Sequence, residues 1–333
     1  MTDILGFAAC AVVIFFAGKK LSYYGDQIAE KSGLGKAWVG LILMATVTSL
    51  PELMVGVSSS AIVQSADLAV GDIIGSCTFN LTILAVLDIF VPKRQHLFFV
   101  ASAPRHTLSA ALGLILTSIA GIGLFLPTDI VILPGLGIIS LMFIVLYLFS
   151  IRIIYTFDRI RRSMETAEPE HPLEGLTLQQ LLLRYTGFAS IVIVAALFIP
   201  YLANGIAESS GLGTSFIGTM LVAASTSLPE IAVSIAAVRI GSIDLALGNL
   251  LGSNIFNMLI LALDDAFYTK GILLKDASDI HLISVFAALV MYGIAIAGFT
   301  IQAPKKKFVM AIDAVLMLIV YILSMGLLFV LSR

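Results

Sequence analysis

The sequence has little charge: Asp, Glu, Lys and Arg make up only 12% of its 333 residues, against roughly 25% in soluble domains. It holds no basic block that could neutralise a phosphate backbone, so nucleic acid is excluded as a partner. Cysteine is nearly absent. Cys10 and Cys77 form neither a disulfide framework nor a metal spacing, and Cys77 reads as a small buried hydrophobe. Histidine is sparse as well. His96, His106, His171 and His281 all fall in or near polar connections, so none stands in an apolar run as a proton relay. The start, Met1-Thr2-Asp3, lacks the basic region of a signal peptide, and the first apolar segment reads as a retained span.

What the sequence does have is apolar surface. Hydrophobic residues make up 59% of the chain and the mean hydropathy is +1.06. About 20 apolar residues cross a bilayer as a helix. Ten such segments are read, at approximately 3–28, 34–62, 66–90, 98–124, 128–155, 178–206, 212–239, 243–268, 278–301 and 306–331. The fold expected is an all-α polytopic membrane protein embedded in the lipid bilayer, and the chain is read as a monomer.

The most polar stretch runs from Arg159 to Gln180 and holds Arg161, Arg162, Glu165, Glu168, Glu170 and Glu174. It divides the chain into a five-helix repeat at 1–157, a linker at 158–177 and a second five-helix repeat at 178–333. If the linker is cytoplasmic, sixteen of the nineteen Lys and Arg residues lie on the cytoplasmic side; Lys270, Lys275 and Arg333 do not. That asymmetry places both termini outside. Five spans per half, an odd number, invert the second repeat relative to the first.

The halves share a pentapeptide. Thr-Ser-Leu-Pro-Glu occurs at Thr48–Glu52 and again at Thr226–Glu230. A carboxylate inside a span is expensive, and a proline there breaks the helix ladder. Further on, Gly71-Asp72-Ile73-Ile74-Gly75-Ser76-Cys77-Thr78-Phe79-Asn80 aligns with Gly248-Asn249-Leu250-Leu251-Gly252-Ser253-Asn254-Ile255-Phe256-Asn257. Thr48 and Glu52, Ser76 and Asn80, Thr226 and Glu230, and Ser253 and Asn257 are each four apart and so share a helix face. With Ser49 and Ser227, these faces carry hydroxyl, amide and carboxylate oxygens, a donor set for hard cations such as Ca²⁺ and Na⁺. Pro51 and Pro229 deprive the carbonyls of Val47 and Ser225 of their helical donors, and a cation in a lined cavity can satisfy such groups. Broken helices at corresponding places in two repeats mark a transporter site near the midplane. Two facing glutamates supply the charge that one divalent cation neutralises, and without a cation a proton competes for them.

Plainer readings stand beside these. Ser118 and Ser324 read as interhelical hydrogen-bonding residues. Asp88, Asp264 and Asp265 lie toward span ends and read as interfacial caps. Asp72, aligned with Asn249, is open between packing, a supporting role and a proton site. Ser49 or Ser227 could in principle be the nucleophile of an intramembrane hydrolase, but no histidine lies in the spans to serve as base.

The paired motifs, S/T-x-P-E followed by G-S-x-x-x-N/D, resemble those of the cation/Ca²⁺ exchanger superfamily, specifically the prokaryotic sodium/calcium exchangers. The resemblance covers nearly the whole chain. It implies a transporter and not an enzyme, with no cofactor, which expels Ca²⁺ against entering Na⁺ by alternating access about one central cluster of sites. It implies ligands at Glu52, Glu230, Thr48, Ser49, Thr226, Ser227, Ser76, Asn80, Ser253 and Asn257, with the carbonyls of Ala45 and Ala223, and gating by spans one and six. Val47 and Ser225 stand where the family usually has glycine. Asn257 stands where many relatives carry Asp, which argues against K⁺ dependence. A Ca²⁺/H⁺ or other divalent antiporter is the alternative within the class.

Overall fold

Long apolar runs without competing turn signals can satisfy their backbone groups in a bilayer only as helices, and helices make up nearly all of the computed structural model. It describes residues 2–91, 95–101, 103–126, 131–133, 136–164, 176–209 and 224–331. The principal helices are α1 (Thr2–Ser32), α2 (Lys36–Thr48), α3 (Leu50–Val63), α4 (Ala66–Leu87), α5 (Ala103–Phe125), α6 (Ile138–Met164), α7 (Leu178–Ser209), α8 (Leu228–Arg239), α9 (Ile243–Phe267), α10 (Leu282–Ile301) and α11 (Ile312–Leu331). Among the described residues, eight helices are long and apolar enough to cross a membrane, or nine when α2 and α3 count as one span. The protein is thus a polytopic membrane protein. Of the expected segments, 34–62 is not one straight helix: α2 and α3 meet at a 42° bend. The start of the expected span at 212–239, Ala223, His171 and most of the linker at 158–177 lie outside the described residues.

One small departure from the all-helical expectation is a pair of short antiparallel strands, Val131–Leu133 and Leu136–Gly137, just before α6. Asp265 at the end of α9 fastens them there, accepting from Gly137 N at 3.0 Å and from the Ser140 hydroxyl at 2.6 Å.

The layering follows composition. α9 is almost wholly buried, with Leu245, Leu247, Leu250, Leu251, Met258 and Leu261 in the core, and it touches α2, α4, α5, α6 and α8. The outer helices expose large apolar side chains: Phe16 on α1, Leu183 on α7 and Ile322 on α11 are each 65% exposed or more. Such a surface suits lipid.

The central crossing needs glycine. A Cβ on Gly248 would lie 2.3 Å from the Ala37 carbonyl oxygen, and one on Gly252 2.5 Å from that of Leu41. Gly40 faces Leu245 O in the same way, at 2.3 Å. Backbone therefore lies directly on backbone where α2 crosses α9, as small residues at membrane-helix contacts allow. The close approach holds α2 and α3 against α9, and so fixes the first pentapeptide against the second half of the chain.

Candidate functional site

Both pentapeptides break the chain in the same way. Ser49 leaves the helical region at φ −89°, ψ 8°, and Ser227 does so at φ −83°, ψ 9°. Each serine starts a new helix with proline and then glutamate in its first turn. Proline is tolerated there because its missing N–H would have no intrahelical partner in any case. The glutamate stands at the positive end of the helix dipole, where a carboxylate is favoured. The interruption thus falls two residues before each proline, and the proline serves as a first-turn residue of the following helix.

The two breaks face one another, and their hydrogen bonds cross between the halves. Ser49 donates to Oε1 of Glu230 at 3.2 Å, and Ser227 donates to Oε1 of Glu52 at 3.1 Å. The neighbouring helices add one serine each. Ser76 on α4 donates to Glu52 Oε1 at 3.5 Å, and Ser253 on α9 donates to Glu230 Oε1 at 3.3 Å. Ser227 also lies 3.5 Å from Ser76, and Thr48 lies 3.5 Å from Ser253. Glu52, Glu230, Thr48, Ser49, Ser76, Thr226, Ser227, Ser253 and Asn257 have no solvent exposure at all, and Asn80 has 1%.

The accounting of oxygens is informative. Oε2 of Glu52 and of Glu230 is buried and meets no donor, and the same is true of Oδ1 of Asn80 and of Asn257. Both asparagines point their amide nitrogens elsewhere: Asn80 Nδ2 donates to Asn254 Oδ1 at 3.0 Å, and Asn257 Nδ2 to Cys77 Sγ at 3.7 Å. A buried oxygen with no donor is costly. Two carboxylates and two amides, matched between the halves, leave one such oxygen each, which is the donor set that a hard cation fills.

The ten expected side chains are thus all present and buried. Ala45 is also buried, but its carbonyl already accepts from Ser49 N at 3.0 Å and lies 3.4 Å from the Thr48 hydroxyl. Ala223 lies outside the described residues. Asn249 and Asn254, which were not among the expected ligands, join the cluster. Thr48 Oγ1 is 3.2 Å from Asn249 Oδ1, and Asn249 Nδ2 donates to Ser234 at 3.1 Å. Asn254 donates to the Tyr292 hydroxyl at 2.8 Å and to the Cys77 carbonyl at 3.2 Å. Their alignment with Asp72 and Cys77 was the signal available for them. Of the three aspartates read as interfacial caps, Asp88 and Asp265 fit: Asp88 accepts from Leu97 N and Ala311 N, and Asp265 from Leu273 N. Asp264 does not fit. It is fully buried and neither of its oxygens meets a donor.

Among the described residues, neither Ser49 nor Ser227 is hydrogen-bonded to a histidine that could act as a base. Both serines face carboxylates, while His96, His106 and His281 pair with Asp313, Asp244 and Asp67 away from the pentapeptides. Broken helices opposed around paired, buried glutamates define a secondary transporter for cations.

The comparisons with known proteins agree. The family described as sodium/calcium exchanger protein matches residues 2–155 and 180–330, and the chain belongs to that family. It is a cation/Ca²⁺ antiporter. The inner membrane protein YrbG of Escherichia coli (strain K12) is 29% identical over 291 residues, 84% of this chain and 86% of YrbG. The sodium/calcium exchanger MaX1 of Methanosarcina acetivorans is 27% identical over 274 residues, 74% of this chain and 78% of MaX1. The solved sodium-calcium exchanger NCX_Mj matches with a TM-score of 0.73 at 20% identity, covering 97% of this chain and 98% of that one. At that identity the likeness is one of fold.

Proposed function

We propose that the protein exchanges Na⁺ for Ca²⁺ by alternating access and so extrudes calcium, with the two pentapeptides forming one cation centre. The crossed pairing of Ser49 with Glu230 and of Ser227 with Glu52 carries this reading, because it makes the centre a joint product of both halves. Glu52 and Glu230 neutralise Ca²⁺, using the carboxylate oxygens that have no donor together with Thr48 and Thr226. Na⁺ takes the same carboxylates with Ser76, Ser253, Asn80 and Asn257. Sharing oxygens makes occupancy by Ca²⁺ and Na⁺ mutually exclusive, and that exclusion couples the two fluxes.

The proposed architecture is ten spans in two inverted repeats, 1–157 and 178–333, joined by a linker at 158–177. The Lys and Arg distribution puts the linker in the cytoplasm and both termini outside. The end of the bundle where Lys270 Nζ donates to the Gln64 carbonyl at 2.9 Å is then the outer one.

The test is ⁴⁵Ca²⁺ movement in proteoliposomes under imposed Na⁺, K⁺ or H⁺ gradients. A Na⁺ gradient should drive Ca²⁺ and a K⁺ gradient should not. Movement driven by a pH gradient and indifferent to Na⁺ would make the protein a Ca²⁺/H⁺ antiporter instead.

A further inference from the structure

Three helices carry their polar stripes past the centre toward the Gln64 end. On α3, Glu52, Gly56 and Ser60 recur at intervals of four and share a face. On α4, Asp72 stands one turn before Ser76, and on α9 Asp264 stands two turns beyond Asn257. These continuations belong to none of the oxygens assigned above. Asp72 is 4% exposed and Asp264 has no exposure, and in neither does any carboxylate oxygen meet a donor. Asp264 packs against Gly56, one turn beyond Glu52 on α3, and Asp72 stands one turn from Ser76, which donates to Glu52 Oε1 at 3.5 Å, so both continue from the Glu52 end of the centre. Ser60 is wholly buried and its hydroxyl has no partner.

The neighbouring residue gives the contrast. Asp265 has donors from Gly137 N, Ser140 and Leu273 N, as a structural aspartate should. Asp264, one position away on the same helix, has none. Its carboxylate occupies the space above Gly56, where a Cβ would lie 2.3 Å from Oδ2. The absence of a side chain at 56 therefore leaves room for a carboxylate between α3 and α9. Two buried carboxylates without donors must take up a proton or a cation, since burial as bare anions without a counter-charge is the costliest arrangement available to them.

We propose that Asp72 and Asp264, with the Ser60 hydroxyl, form a second divalent-cation position beside the central one, on the path to the outer face. Oxygen-only ligation and two negative charges select Ca²⁺ over softer metals. Four carboxylates then balance two divalent ions, one at each position. The outer position holds an ion as it leaves or approaches the centre. This rests on the reading of Glu52 and Glu230 as the central ligands.

The experiment is equilibrium ⁴⁵Ca²⁺ binding to the detergent-purified full chain in Na⁺-free buffer. The unaltered protein should bind two ions per chain at saturation. Asp72→Asn with Asp264→Asn should bind one, and Glu52→Gln with Glu230→Gln should also bind one. Ser60→Ala should weaken one of the two binding phases and leave the other in place. If the Asp72/Asp264 double variant still binds as many ions as the unaltered chain, the outer position does not exist. If instead the Glu52/Glu230 variant loses nothing, the central reading is wrong and the outer one stands. Should the double aspartate variant fail to elute as a folded species, Asp72→Asn alone decides by the same count.

Discussion

The Ser49 hydroxyl donates to Oε1 of Glu230 at 3.2 Å across 181 residues of chain. The reciprocal bond, from Ser227 to Glu52 at 3.1 Å, makes each half of the protein complete the other's carboxylate. On the reading proposed above, neither half would hold the ion by itself, which suits a transporter that opens alternately to two sides.

Replacing Glu52 or Glu230 by Gln removes a charged ligand at nearly constant volume. Losing one partner of a buried charged assembly costs about 3 kcal/mol or more, a factor on the order of a hundred. Ca²⁺ flux in proteoliposomes should fall at least that far for either variant. An uptake rate within tenfold of the unaltered protein in either variant would refute the central role of that residue.

Ser49→Ala and Ser227→Ala should behave alike, since each removes one hydrogen bond to an opposite carboxylate. Such bonds contribute about 1.5–3 kcal/mol, so the apparent Ca²⁺ affinity should drop roughly tenfold to a hundredfold in each. Combining Ser49→Ala with Glu230→Gln should cost much less than the two effects added together. Simple additivity in this cycle would mean that the two side chains act separately.

Gly248→Ala should destabilise the fold itself. The added Cβ would meet the Ala37 carbonyl oxygen at 2.3 Å, and backbone on both sides leaves little room to yield. Overpacking of this kind costs about 1–3 kcal/mol. The midpoint of thermal unfolding in detergent should fall by several degrees, while Gly326→Ala, where nothing lies within 4 Å, should leave it unchanged.

Asp88→Asn tests a structural carboxylate. Asp88 is 1% exposed, receives Leu97 N at 3.0 Å and Ala311 N at 2.8 Å, and pairs with Lys306 at 3.3 Å. Breaking that buried pair costs about 3–5 kcal/mol. The variant should unfold at lower temperature yet keep its apparent Ca²⁺ affinity, the reverse of the pattern expected for Glu52→Gln.

Much of the fold was legible because a bilayer permits few solutions. The segment expected at 66–90 corresponds to the span Ala66–Phe90, and that at 243–268 to Ile243–Phe267, since hydropathy and helix length are properties of the chain alone. The bend at Ser49 was also signalled, although proline pointed to its own ring clash and the chain turns two residues earlier. Spacing of four placed Ser76 with Asn80 and Ser253 with Asn257 on common faces. It could not say what those faces meet.

The sequence by itself determined that this chain crosses a membrane many times, interrupts its helices at two matched pentapeptides and offers hard oxygen donors there. These are local matters of composition, periodicity and the missing proton on proline. Tertiary structure alone decided that Ser49 answers Glu230, that Asn254 links Asn80 to Tyr292, and that Asp265 is satisfied where Asp264 is not. A helix period fixes which residues share a face but not how that face is turned toward distant helices. That rotation is set by packing, above all where Gly248 and Gly252 let α2 lie directly on α9.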